Sequence, residues 1–163
     1  MNKLIMLLFS LIPSMSFGVG FSSLVEQASQ DTGVPSNIIS KVCTHESKTF
    51  HNGKTQPWPW TLNVSGKGYW FKSKMTAVVY AKLELMSGNS MIDVGICQIN
   101  WYWHGGNFDS IEELMNPKNN IYYAATYLKK IKGGQSWEYA VGAYHSLKNK
   151  ELAKAYAEKV LSQ

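Results

Sequence analysis

The sequence predicts an α+β fold, mainly helical with one small β-hairpin. Three observations carry this. Apolar residues recur at three- and four-residue steps through most of the 163 residues, the mark of helices with one buried face. The stretch from Gln56 to Phe71 differs: aromatics on two arms flank Ser65-Gly-Lys-Gly68, which reads as strand, turn, strand. No internal repeat and no linker divides the chain, so strands and helices share one domain.

Residues 1–16 are expected to lie outside that domain. Lys3 precedes an apolar run from Leu4 to Ile12, then Pro13 and the small-x-small pattern Ser14-Met15-Ser16. Charge, length and ending are those of a secretory signal peptide, and the run falls short of the roughly 20 apolar residues of a transmembrane helix. The expected organisation is therefore a leader over 1–16 and a single domain over 17–163. It implies a periplasmic or secreted protein with no membrane span after cleavage.

Within the domain, Phe21 to Ser29 reads as a short helix ending near Asp31-Thr-Gly33. Pro35 suits the first turn of the next helix, along which Ile38, Ile39, Val42, Cys43 and Glu46 fall on one face. Glu46 thus follows an apolar stripe to a helix C-terminus. Desolvation and the negative helix end both favour its protonated form, as a general acid working near neutral pH requires. A glutamate turned to solvent at a frayed helix end is the competing reading. Asn52-Gly53 marks a turn before the hairpin. Ser73 caps a helix with Met75, Val78, Val79, Leu83 and Met86 as its apolar positions and Gly88 as its stop.

Met91 to Asn100 (MIDVGICQIN) reads as short and irregular, and Trp101 to Gly106 as a loop. Ser110 with Glu113 forms a capping box. Asn116-Pro117 opens a helix using Ile121, Ala124, Ala125 and Leu128, ended by Gly133-Gly134. Ser136 caps another, through Ala140 and Tyr144, and Glu151 to Leu161 closes the chain with Leu152, Tyr156 and Val160 inward.

Composition narrows the function. The chain is 45% hydrophobic and 13% aromatic, which disfavours disorder. Its net charge is +5, and all 16 basic residues are lysine. Without arginine there is no bidentate reader of guanine or phosphate, so a nucleic-acid partner is not expected. A mildly basic surface fits an anionic polymer such as a cell wall better. His45, His51, His104 and His145 form no metal-ligand spacing, and neither metal nor cofactor is expected. An even cysteine pair in an exported chain favours a Cys43–Cys97 bridge, with two buried thiols as the alternative.

Four pieces in order carry a resemblance: Glu46-Ser47, Gly95-Ile-Cys-Gln98-Ile-Asn100, Asn116-Pro-Lys-Asn-Asn120-Ile121 and Ala140-Val-Gly-Ala-Tyr144. Together they resemble the lysozyme-like lytic transglycosylase domain of the soluble murein type. The small exported enzymes that accompany conjugation, pilus and secretion machines are especially similar. The resemblance implies a lysozyme-like fold and a monomer acting on peptidoglycan glycan strands. It implies cleavage of the β-1,4 link between N-acetylmuramic acid and N-acetylglucosamine, with a 1,6-anhydro end as product and an assembling secretion, conjugation or pilus apparatus as partner.

By the same resemblance Glu46 is the general acid and then the base. Ser47, Gln98, Asn100 and Tyr144 are substrate-binding or orienting residues around it. The substrate's acetamide replaces a protein nucleophile, whereas ordinary glycosidases use a carboxylate pair. Asp93 is the one plausible second carboxylate for a hydrolytic lysozyme mechanism, and otherwise a turn aspartate. A wall-binding protein without turnover is the non-enzyme alternative. Trp58, Trp60, Tyr69, Trp70, Trp101 and Trp103 are candidates for sugar stacking or for core packing. The chain departs from the family in placing Cys97 before Gln98 and in continuing Tyr144 with His145-Ser146-Leu147.

Overall fold

A computed structural model describes residues 17–51 and 54–163; the leader expected over 1–16 lies outside the described residues. The first helix, α1 (Phe17–Thr32), is longer at both ends than its apolar pattern suggests. It stops where Gly33 takes φ +74°, with its N–H on Ser29 O at 2.8 Å. Only glycine adopts that conformation without strain. Pro35 then occupies the position just before α2 (Ser36–Ser47), whose Ile38, Ile39, Val42 and Cys43 are buried as the spacing requires.

Two short strands, β1 (Thr49–His51) and β2 (Lys54–Gln56), pair antiparallel; the turn expected at Asn52-Gly53 lies outside the described residues. The aromatic hairpin follows as β3 (Thr61–Val64) and β4 (Lys67–Trp70), with Leu62 opposite Tyr69. Its turn is tighter than expected, with Ser65 and Gly66 both at positive φ.

Helix α3 (Lys74–Met86) starts at Ser73, whose hydroxyl accepts from Thr76 N. Its buried face is Ala77, Val78 and Ala81, which corrects the sequence reading. Met75 and Met86 are 73% and 83% exposed, and Val79 and Leu83 are also exposed. Small residues let the helix sit close to the sheet, a preference that a count of large apolar side chains overlooks.

The MIDVGICQIN stretch is regular, contrary to expectation: β5 (Ile92–Val94) and β6 (Ile99–Asn100) extend the hairpin into a four-stranded antiparallel sheet, ordered β4-β3-β5-β6. Strands this short leave almost no alternation to read. Trp101 to Gly106 is likewise no loop. It forms α4 (Trp101–His104), capped by Asn100, and a 3-10 turn at Gly105–Asn107.

The helical body is completed by α5 (Ile111–Leu114), α6 (Pro117–Lys132), α7 (Trp137–His145) and α8 (Lys150–Leu161). α6 buries Asn120, Ile121, Ala124, Ala125 and Leu128 and packs on α1 and α7, while α8 lies along α7. In α8 the inner residues are Tyr156, Ala157 and Val160; Leu152, expected inward, is exposed. One core spans helices and sheet, from Val25 and Ile39 through Leu62 and Val94 to Val141 and Val160.

Candidate active site

The C-terminal end of α2 faces the sheet across a cleft of about 670 Å³ that contains Glu46, Asp93, Gln98, Asn100 and Tyr144. Glu46 reaches it because it stands one helical turn beyond the buried Val42–Cys43 pair, where the core opens. Its Oε1 accepts a hydrogen bond from the Tyr156 hydroxyl. Burial pushes its pKa from 4.5 up to about 7; the Tyr156 bond opposes the rise, Asp93 adds to it and Lys48 opposes it.

The alternation of β5 explains Asp93. Ile92 and Val94 are buried, so the residue between them points to the other face. Asn100 is its cross-strand partner in β6 and donates Nδ2 to Asp93 Oδ1 at 2.8 Å. Burial raises the Asp93 pKa, against this hydrogen bond and the nearby charge of His145.

Gln98 is held by its backbone. It takes φ +48°, its N–H meets Gly95 O at 3.2 Å, and its Nε2 donates to Gly95 O at 2.7 Å and Thr61 O at 3.3 Å. Behind that turn lies Asn120, fully buried. Its Oδ1 accepts from Cys97 N at 2.8 Å, and its Nδ2 donates to Val94 O at 2.8 Å and Leu114 O at 3.1 Å. Asn120 therefore shapes the loop carrying Gln98 from behind. The Tyr144 hydroxyl donates to Cys97 O at 2.6 Å, on the same loop.

Ser47 sits elsewhere. It is fully buried, donates to Cys43 O at 3.0 Å and accepts from Trp58 N at 3.1 Å, joining the end of α2 to the hairpin. The Cys43–Cys97 disulfide is formed, with Cα atoms 4.1 Å apart, and it ties the Glu46 helix to the Gln98 turn.

Among the aromatics, the Trp58 and Trp70 indoles donate to Phe71 O at 2.7 Å and Ser47 O at 3.2 Å. Trp60, Tyr69 and Trp101 pack against the core. Trp103 lines the cleft with 69% exposure and is the indole best placed for a sugar face.

Tyr156 is the residue that sequence reasoning placed only in the core. Its ring stacks on His145 with centroids 4.6 Å apart and 2° between planes, and meets His45 edge-on at 5.2 Å. Burial, with Lys48 the next cause, lowers His45 to about 4, so it is neutral beside the site. A tyrosine on an apolar helix stripe looks like core until its hydroxyl is followed to a partner 110 residues away.

Among known families, the model of the transglycosylase SLT domain matches residues 23–159. Neither the curated proteins nor the solved structures yield a match. A match over most of the chain places the protein in the SLT-domain family, lysozyme-like peptidoglycan lytic transglycosylases, which are lyases acting on polysaccharide outside the cytoplasm.

Proposed function

We propose that Glu46 carries both proton transfers of the transglycosylase reaction. Protonated Glu46 gives its proton to the glycosidic oxygen as the bond from muramyl C1 to that oxygen breaks and N-acetylglucosamine leaves. The acetamide oxygen of the same muramyl residue bonds to C1 and holds the developing charge. Ionised Glu46 then takes the proton of the C6 hydroxyl while O6 displaces the acetamide, closing the 1,6-anhydro ring with no water consumed.

A group with a pKa near the working pH serves as both acid and base, and the elevation of Glu46 to about 7 in the cleft is the observation that supports this reading. Tyr156 holds one carboxylate oxygen. Gln98, Asn100 and Tyr144 form the walls that would position the sugar, and Ser47 would support Glu46 from behind through the backbone of α2.

Asp93 lines the same cleft and gives the hydrolytic alternative its one foothold. Its bond from Asn100 favours a positioning part instead. Release of soluble fragments from purified peptidoglycan by wild type, Glu46→Gln and Asp93→Asn separates the roles. Loss of one acid–base group removes a factor of roughly 10²–10⁴, so Glu46→Gln falls by that much and Asp93→Asn keeps most of its rate. Equal losses in both would favour a carboxylate pair, and wall binding without release by wild type would favour a non-catalytic module.

The proposed setting is local wall opening by an exported monomer, through a leader over 1–16, while a secretion, conjugation or pilus machine assembles. The family resemblance supports it. Among the described residues no helix is long and apolar enough to cross a membrane.

A further inference from the structure

Beside the cleft a second hollow, of about 460 Å³, runs between α7 and α8. It exists because the two helices touch at their floor: a Cβ on Gly142 would lie 2.6 Å from Ala153 O. Ala153 and Ala157 keep that floor low, and the half-exposed Tyr139 stands at the side.

Ala143 and Leu147 line both hollows, so the C-terminal end of α7 and the turn after it form the ridge between them. Charge follows the same path. Lys148 lines the cleft, Lys150 and Lys154 line the second hollow, and Glu138, from the first turn of α7, lines it too. Lys154 also makes a long, exposed contact of 3.9 Å with Glu158, which a ligand carboxylate would compete with.

The reading rests on the lytic transglycosylase assignment, because the substrate explains the pattern. The sugar chain is uncharged, but each muramyl lactyl group bears a short peptide with free carboxylates and, on its diamino acid, a free amine. Four extended residues reach about 14 Å, and the two hollows are neighbours that share Ala143 and Leu147 in their linings. We propose that the α7–α8 groove binds this acidic stem peptide, with Lys150 and Lys154 facing its carboxylates and Glu138 its amine.

The test is an NMR titration of the nitrogen-labelled full domain with synthetic N-acetyl-L-alanyl-γ-D-glutamyl-diaminopimelyl-D-alanine, the acetyl group standing in for the lactyl carbonyl. The readout is binding, so it stands whether or not Glu46 performs the proposed chemistry. The expected result is shift changes at the Gly142, Ser146, Lys150 and Lys154 amides. Two exposed charge contacts predict affinity about three- to tenfold weaker in a Lys150→Ala, Lys154→Ala double variant, and similarly weaker for a peptide with its carboxylates amidated. Shift changes absent from these amides, or affinity equal in both proteins, would overturn the proposal.

Discussion

The Tyr156 hydroxyl, on the last helix, donates to Glu46 Oε1 at the end of α2, 110 residues earlier in the chain. The bond fixes the rotation of the one carboxylate whose burial raises it to about 7, and by stabilising its charged form it limits that rise. Chain closure by α8 and the protonation of Glu46 are thus one structural fact.

Tyr156→Phe removes that bond and leaves the ring stack on His145. The Glu46 pKa then moves above about 7. In the proposed reaction Glu46 must hold its proton for the first step, so the alkaline fall of the pH–rate profile shifts upward. Looser positioning of the acid lowers the plateau by roughly ten- to a hundredfold. The pH dependence of peptidoglycan solubilisation checks both effects.

Asp93→Asn acts in the opposite direction on the same profile. Asp93 is one of the causes that raise Glu46, so its neutralisation lowers the Glu46 pKa and moves the alkaline fall to lower pH. Opposite displacements in the two variants, measured side by side, would separate an electrostatic role for Asp93 from general damage to the cleft.

The disulfide sets the distance between the Glu46 helix and the Gln98 turn. It closes a span of 54 residues between two fully buried sulfurs. On the chain-entropy account a loop of that length is worth roughly 4 kcal/mol, or about 10 °C in a domain of this size. Thermal unfolding of a Cys43→Ser, Cys97→Ser variant should show a loss of that order.

Gly95 takes φ +79°, and a Cβ there would lie 2.7 Å from Asn120 Nδ2. Gly95→Ala therefore adds backbone strain to a clash with a buried, fully bonded amide, and should cost about 2–4 kcal/mol. Gly106 has nothing within 4 Å of its Cβ position and an ordinary φ, so Gly106→Ala should stay within about 0.5 kcal/mol. Chemical denaturation of the pair measures the difference.

Helices with large apolar residues at regular spacing and clear caps were legible in the sequence. α2 and α6 have the expected buried faces, and Glu46 is reached by continuing the α2 stripe. The hairpin was legible from its turn. β5 and β6 were not, because strands of three and two residues are defined by their partners, β3 for β5 and β5 for β6, and by Asn120, whose bonds come from 23 and 26 residues away. The exposed methionines of α3 misled because their hydrophobicity fits a core while alanines occupy it. Tyr156 was hidden for the complementary reason: its ring satisfies the core pattern, and its contact with Glu46 lies in one hydroxyl.

The central claim is that Glu46 drives an intramolecular attack by the muramyl C6 hydroxyl. Mass spectrometry of the products from purified peptidoglycan, digested in heavy-oxygen water, tests it most directly. The account predicts 1,6-anhydromuropeptides without incorporated label from wild type, and none from Glu46→Gln. Labelled reducing-end products would contradict it, since water would then be the acceptor and Asp93 its partner in hydrolysis.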